Sequence, residues 1–163
     1  MRRIILVVLT LASVLFAQEA SKTLHVSGTG VKGTEFSAEQ VTSMPRTTVT
    51  VKHPDSGKEE KYEGVRVSDL LKKAGVVLGE MRSPEVRSYV IATAPDKYKV
   101  VYSLAEIDPV MTSNEIIVAD KLDGKPLDAK HGPFQIIVPG DKVPWRWIHM
   151  VNSLEVVEVG KTN

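Results

Sequence analysis

The feature that most constrains this fold is a series of short, alternating apolar runs interrupted by turns containing Gly or Pro. Such runs are typical of β-strands, because alternate side chains of a strand point to opposite faces of a sheet. The turns Pro54-Asp55-Ser56-Gly57 and Ala94-Pro95-Asp96-Lys97 predict β-hairpins. Strands are predicted around Leu24 and Val26, and over Thr47 to Lys52, Tyr89 to Ala92, Tyr98 to Tyr102, Glu115 to Ala119, Phe134 to Val138 and Ser153 to Val159.

A few short helices are predicted between these strands. Ser37 with Gln40, and Ser103 with Glu106, have the spacing of a capping box, in which two side chains satisfy free backbone N–H groups at a helix start. Ser68 is expected to cap a further helix. The predicted helices are Ser37 to about Ser43, Asp69 to Ala74, and one turn from Ser103 towards Asp108. With 163 residues and no internal repeat, the sequence predicts a single α+β domain.

The N-terminal segment has the pattern of a secretory signal. Arg2 and Arg3 precede the uncharged run Ile4 to Ala17, which is shorter than the roughly 20 residues that span a membrane. We therefore predict a signal peptide over residues 1–17 and a mature domain over residues 18–163, located in the periplasm or secreted. No membrane attachment is expected after cleavage. An uncleaved anchor is the alternative.

Composition excludes several classes of function. The sequence contains no cysteine, so it cannot supply disulfides, thiolate zinc sites, iron–sulfur clusters or a cysteine nucleophile. Lysine and arginine total 21 against 20 aspartate and glutamate, which does not favour nucleic-acid binding. The histidines lack the i, i+4 spacing of a helical metal site, so no metal site is predicted. Gly28 to Gly33 departs from a dinucleotide-binding pattern and is interpreted as a turn.

Two segments carry a resemblance to a known family. The first is Tyr62-Glu63-Gly64-Val65-Arg66-Val67-Ser68-Asp69-Leu70-Leu71. The second runs from Asp123-Gly124-Lys125-Pro126-Leu127 through His131-Gly132-Pro133 and Val138-Pro139 to Trp145-Arg146-Trp147-Ile148. Together they resemble the molybdopterin-binding oxidoreductase domain of the sulfite oxidase type, over about Leu24 to Val159. The resemblance implies a mixed-sheet domain of that type, molybdopterin as cofactor, and a redox partner protein.

Two departures from the family pattern affect the expected cofactor site. Enzymes of the family hold molybdenum through a cysteine thiolate, which would fall near Val51 to His53 here, and this sequence has none. His53 is a weak substitute, because an imidazole differs chemically from a soft thiolate. An arginine common in the family two positions after His-Gly-Pro is Gln135 here, which removes a bidentate donor for an anion.

The remaining candidate contacts for a pterin-type or other small anionic ligand are His131, the Gly132 backbone, Lys142, Arg146 and Trp147. If Phe134 to Val138 and Trp147 to Val151 are neighbouring strands, His131, Lys142 and Arg146 meet in one positive site. In the alternative interpretation, Trp145 and Trp147 pack in the core and His131-Gly132-Pro133 is only a turn.

Two functions are therefore open at this stage. One is an exported oxidoreductase-like domain that binds a pterin-type or other anionic ligand. The other is a cofactor-free binding or partner module that kept the fold and lost the redox centre. The missing cysteine argues against redox chemistry and favours the partner module. The family motifs around His131 and Arg146 are present and favour the ligand-binding domain.

Overall fold

Two β-sheets organise the part of the chain that the computed structural model describes, residues 22–53, 56–80 and 86–160. The strands are β1 Thr23–Gly28, β2 Thr34–Ser37, β3 Thr47–Lys52, β4 Glu59–Arg66, β5 Ser88–Thr93, β6 Lys99–Ser103, β7 Ile117–Leu122, β8 Lys125–Pro126, β9 Gln135–Ile137 and β10 Ser153–Glu158. The helices are α1 Ala38–Thr42, α2 Val67–Lys73, α3 Leu104–Ile107 and a 3-10 turn at Pro144–Arg146. The predicted signal peptide lies outside the described residues.

The first sheet has the strand order β2-β1-β10-β5-β6. Strand β10 lies at its centre, parallel to β1 and antiparallel to β5, so the sheet is mixed. Alternate residues of these strands, such as Leu24, Val90 and Leu154, are completely buried. The predicted strands at both ends of the domain are therefore confirmed, and they pair with each other.

The second sheet has the order β3-β4-β7-β8, and β9 also pairs with β7. The predicted hairpin is confirmed, with Val49 opposite Tyr62. The β4–β7 register shifts between Glu63 and Gly64. A Cβ on Gly64 would lie 2.1 Å from the carbonyl oxygen of Val118, so the two strands can approach this closely only at a glycine.

The helix predictions are confirmed at two positions and corrected at a third. Ser37 and Ser103 each cap a helix through a capping box. Helix α2, however, starts at Val67 rather than Asp69, and Ser68 lies buried inside it instead of capping it. The helix begins two residues earlier than predicted because the apolar Val67 is buried in the core. None of the helices in the described ranges is long and apolar enough to cross a membrane.

The segment after the 3-10 turn does not form the predicted strand over Trp147 to Val151. Pro144 stands at the start of the 3-10 turn, where its fixed φ suits a helical turn. The segment still runs beside β9, because the Ile136 N–H donates to the Ile148 carbonyl at 2.9 Å and the Val151 N–H donates to the Phe134 carbonyl at 3.0 Å. Ile148 and Val151 are thereby buried without belonging to a sheet.

The described residues thus confirm an α+β fold with mixed sheets and short helices. Apolar residues of both sheets and of α2 form its core, including Phe134, Ile136 and Leu71.

Candidate functional site

A surface cavity of about 570 Å³ opens beside the second sheet, and we call it the Tyr62 cavity. The β3–β4 hairpin, the β7–β8 turn and the loop leading to β9 surround it. Its lining residues are His53, Glu60, Tyr62, Leu122, Asp123, Lys125, Pro126, Leu127, Asp128, His131 and Gln135. It therefore brings together both sequence segments that carry the family resemblance, together with the end of β3.

The topology of the second sheet explains why these segments meet. Strand β7 pairs with β4 through Leu122 opposite Tyr62, and with β9 through Ala119 opposite Gln135. His53 follows β3 directly and reaches the same cavity, where its Nδ1 accepts a hydrogen bond from the Ser56 N–H at 3.4 Å. His53, which lies in the region where the resemblance implies a metal thiolate, and Gln135, where it implies an arginine, thus line the same cavity.

Gln135 is the most unusual residue of this wall. Only 3% of its surface is exposed, and its side-chain Oε1 is buried with no hydrogen-bond partner among the described residues. A buried acceptor without a donor costs about 1–3 kcal/mol. Such an atom is rare in folded proteins, and a donor supplied by a ligand is one way to satisfy it.

Tyr62 forms a rigid part of the cavity. Its side chain is buried, its ring meets the Trp147 ring edge-on with centroids 6.0 Å apart, and its hydroxyl donates to Glu60 Oε2 at 2.9 Å. Burial raises the pKa of the Tyr62 phenol, and the hydrogen bond to Glu60 raises it further. The phenol therefore remains neutral and keeps Glu60 oriented at the wall.

His131 is held by a neighbouring carboxylate. Its Nδ1 lies 2.6 Å from Asp128 Oδ1, and that hydrogen bond lowers the pKa of Asp128. On its other side, the His131 ring lies 4.5 Å from the His149 ring, centroid to centroid. Partial desolvation lowers the pKa of His149, and the nearby His131 lowers it further. His149 therefore accepts a proton less readily than an isolated imidazole would.

Gly132 is constrained by the same turn. It precedes a cis peptide bond to Pro133, and a Cβ at this position would lie 3.1 Å from both the Asp128 carbonyl oxygen and the Leu127 Cβ. The His131-Gly132-Pro133 motif thus shapes the turn that delivers His131 to the cavity.

Arg146 lies in an ion cluster of its own. It donates two hydrogen bonds to Asp141, at 2.9 and 2.7 Å, and its Nη1 lies 3.0 Å from Glu106 Oε2. Its guanidinium carbon is 5.4 Å from the centre of the Tyr102 ring. The hydrogen bonds that Arg146 donates to Asp141 and then to Glu106 raise the pKa of Arg146. Carboxylates of the chain therefore already neutralise this guanidinium.

The other predicted contacts lie apart from the cavity wall. Lys142 is exposed in the loop after β9, and neither it nor Arg146 is among the cavity's lining residues. Trp147 is 4% exposed and its Nε1 donates to the Val138 carbonyl at 3.0 Å, as the core-packing alternative describes. Trp145, in contrast, is 76% exposed. A role for Lys142, Arg146 and Trp147 in ligand binding stays a prediction.

Sequence reasoning missed several residues of the wall. Glu60 and Tyr62 are not among the ligand contacts that the sequence predicts. Asp128, three residues before His131, carried a usable signal, because that spacing in a turn allows a carboxylate to bond an imidazole. Nothing local in the sequence indicates that the β3–β4 hairpin folds against the loop before β9.

The metal-binding capacity of the described residues is limited. They contain no group of three or more His, Asp or Glu side chains arranged to hold a metal ion. The Tyr62 cavity instead offers mainly hydrogen-bond acceptors around an aromatic ring.

Comparison with known proteins agrees with the family resemblance of the sequence. The family model of the oxidoreductase molybdopterin binding domain matches residues 12–163. The chain belongs to this family. A search of curated protein sequences finds no significant match.

Among solved structures, the crystal structure of the sulfane dehydrogenase SoxCD from Paracoccus pantotrophus is similar to this chain. The TM-score is 0.65 at 22% sequence identity. The match covers 85% of this chain and 39% of that one, so the molybdopterin-binding domain described here spans about two fifths of that protein's length. The similarity supports the sulfite-oxidase-type fold predicted from the sequence.

Proposed function

We propose that this protein is an exported, ligand-binding member of the family, and that it holds a small organic ligand in the Tyr62 cavity without a thiolate-bound molybdenum centre. The observation that carries the proposal is Gln135, whose buried Oε1 has no donor among the described residues although the residue lines an open cavity. A ligand that donates a hydrogen bond to this oxygen would remove its desolvation cost.

The residues of the cavity do not fit molybdopterin as the resemblance describes its binding. The chain has no cysteine to serve as the metal thiolate. Gln135 replaces the expected arginine, and no other arginine is among the described lining residues. The carboxylates of Glu60, Asp123 and Asp128 line the cavity and would repel an anionic cofactor. We therefore derive no redox step for this chain.

The volume and the lining of the cavity suit a small organic ligand that contains a ring. A volume of about 570 Å³ lies within the range of roughly 300–1,000 Å³ that is usual for small-ligand sites. Tyr62, Leu122 and Leu127 supply apolar surface, while Glu60 and Gln135 supply acceptors. A pterin-type ring combines a flat face with N–H donors along one edge, so it is the ligand that we propose to test first.

The test is a titration of the exported protein with 6-hydroxymethylpterin, phosphate, pyrophosphate and a pterin phosphate, followed by calorimetry. The uncharged pterin is expected to bind, and Gln135→Leu is expected to weaken its affinity by about tenfold, the value of one good hydrogen bond. Arg146→Lys tests the sequence-based expectation for that residue and should leave pterin affinity unchanged. Failure of every compound to bind the wild-type protein would refute the ligand-binding role.

A cofactor-free partner module is the second candidate, and one observation favours it. Trp145 is 76% exposed, and beside it Tyr98, whose hydroxyl donates to the Trp145 carbonyl at 2.9 Å, is 51% exposed. Exposed aromatic residues are enriched at protein interfaces. A photoreactive amino acid at position 145 should cross-link one defined protein in the exporting host, whereas the same group at the exposed position Lys52 should not.

A further inference from the structure

The walls of the Tyr62 cavity are rich in acceptors that are only partly used. Glu60 accepts one hydrogen bond from the Tyr62 hydroxyl, at 2.9 Å. Asp123 accepts from Lys58 Nζ at 3.3 Å and from the Lys61 N–H at 3.1 Å. Because an ionised carboxylate offers about four acceptor sites, each of these groups keeps capacity for a further donor.

Hydrogen bonds hold the pKa values of two carboxyl groups of the wall, Asp123 and Asp128, below their usual range. The backbone N–H of Lys61 and then Lys58 lower the pKa of Asp123. The hydrogen bond from His131 lowers the pKa of Asp128. Positive charge at the wall comes from Lys125, which is exposed. The wall therefore favours a positively charged group over an anion.

Gln135 gives the second, independent observation. It is 97% buried, since 3% of its surface is exposed, and its Oε1 is an acceptor without a donor among the described residues. The terminal torsion of a glutamine is soft, so its amide can turn this oxygen towards a ligand. A ligand N–H group could donate to this oxygen, whereas an anionic oxygen could only accept from the amide nitrogen of Gln135.

We propose that the Tyr62 cavity selects a flat organic ligand with a cationic, hydrogen-bond-donating nitrogen group, such as an amidinium, a guanidinium or a protonated aminoheterocycle. This inference rests on the proposed ligand-binding role of the same cavity. The ring lies against Tyr62 and the leucines of the wall, and the nitrogen group donates to Glu60 and Gln135. The selectivity is opposite in charge to the anionic ligand that the sequence predicts.

The test compares benzamidine with benzoate, which share a phenyl ring and carry opposite charges. Calorimetry on the exported protein at low salt should show benzamidine binding at least about tenfold more tightly than benzoate, and added salt should weaken it. Glu60→Gln and Gln135→Leu should each weaken benzamidine binding by about tenfold. Glu59→Gln is the matched control, because Glu59 is exposed, adjacent in β4 and not among the lining residues.

The possible results separate this inference from the proposed function. If pterin binds but benzoate binds as tightly as benzamidine or more tightly, the charge preference is wrong while the ligand-binding role stands. If benzamidine binds equally to wild type and to Glu60→Gln, the cavity is not its site and the inference fails. If neither benzamidine, benzoate nor pterin binds, both the inference and the proposed function are wrong. Circular dichroism of each variant shows that lost affinity is not lost folding.

Discussion

At the scale of single residues, the structure gives Arg146 and Gln135 roles that differ from those that the sequence suggests. Arg146 has the chemistry of an anion contact, yet Asp141 and Glu106 occupy its donors. In the sequence, Gln135 stands where the resemblance implies an arginine donor. In the structure, Gln135 lines the cavity and its buried Oε1 is an acceptor without a donor among the described residues. Asp141 lies only five residues from Arg146, but Glu106 lies 40 residues away. The burial of Gln135 also depends on tertiary packing, so local motifs could not indicate either outcome in full.

Replacing Gln135 by methionine should stabilise the ligand-free protein. Methionine has a similar volume and removes the unpartnered oxygen, whose burial costs about 1–3 kcal/mol. We expect the free energy of unfolding to rise by about 1 kcal/mol in urea denaturation. Gln135→Ala, which removes the same oxygen but leaves a void, should be less stable than Gln135→Met. A clear loss of stability in Gln135→Met would show that the amide is satisfied in the folded protein.

His149 should make stability depend on pH in the mildly acidic range. Its pKa is lowered in the folded protein, so the unfolded chain takes up a proton first as the pH falls through the usual histidine value of about 6.5. Stability is therefore expected to decrease from about pH 7 towards pH 5. His149→Asn should remove part of this decrease, measured as melting temperature against pH. Parallel pH profiles for variant and wild type would contradict the assignment.

At the scale of secondary-structure elements, most of the fold can be predicted from the sequence, because its signals are local. Alternation and turn chemistry identify the β3–β4 hairpin, and the serine spacings identify α1 and α3. The errors occur where tertiary packing outweighs local preference. Val67 extends α2 past Ser68, and the segment Trp147 to Val151 follows a 3-10 turn and runs beside β9 without forming a strand. The pairing of β10 between β1 and β5 joins distant segments, and no local pattern specifies it.

The capping boxes of α1 and α3 provide a matched comparison. Glu106 Oε1 accepts from the Ser103 N–H at 2.7 Å, and Glu106 also pairs with Arg146. Gln40 makes the equivalent cap to the Ser37 N–H at 2.8 Å and is exposed. Glu106→Ala should therefore destabilise the protein by about 1 kcal/mol more than Gln40→Ala, because it removes an ion pair as well as a cap.

Urea denaturation of both variants measures this difference. Glu106→Gln should fall between wild type and Glu106→Ala, since an amide keeps the cap but not the charge. Equal losses for Glu106→Ala and Gln40→Ala would show that the Arg146 ion cluster does not contribute to stability.

At the scale of the whole molecule, the chain combines a complete family fold with a cavity whose residues differ from the family pattern. The family model matches residues 12–163, while the cysteine is missing and Gln135 stands in place of the arginine. The fold could be predicted because two motif segments carry it. The site could be predicted only in part, because the carboxylates of its wall come from the hairpin and from the β7–β8 turn.

Export is a prediction about the whole chain. Arg2, Arg3 and the uncharged run to Ala17 predict cleavage by a signal peptidase. Intact-mass spectrometry of protein from the periplasm or medium should show a chain that begins between Gln18 and Ala20. Protein recovered from the periplasm or medium with Met1 still present would contradict cleavage.

The decisive measurement is the molybdenum content of the exported protein after expression in a host that makes the cofactor. Without a thiolate in the chain, elemental analysis should find well below one molybdenum atom per chain, and His53→Ala should not change that value. Near-stoichiometric molybdenum that is lost in His53→Ala would contradict a cavity without a metal centre and would make His53 the metal ligand.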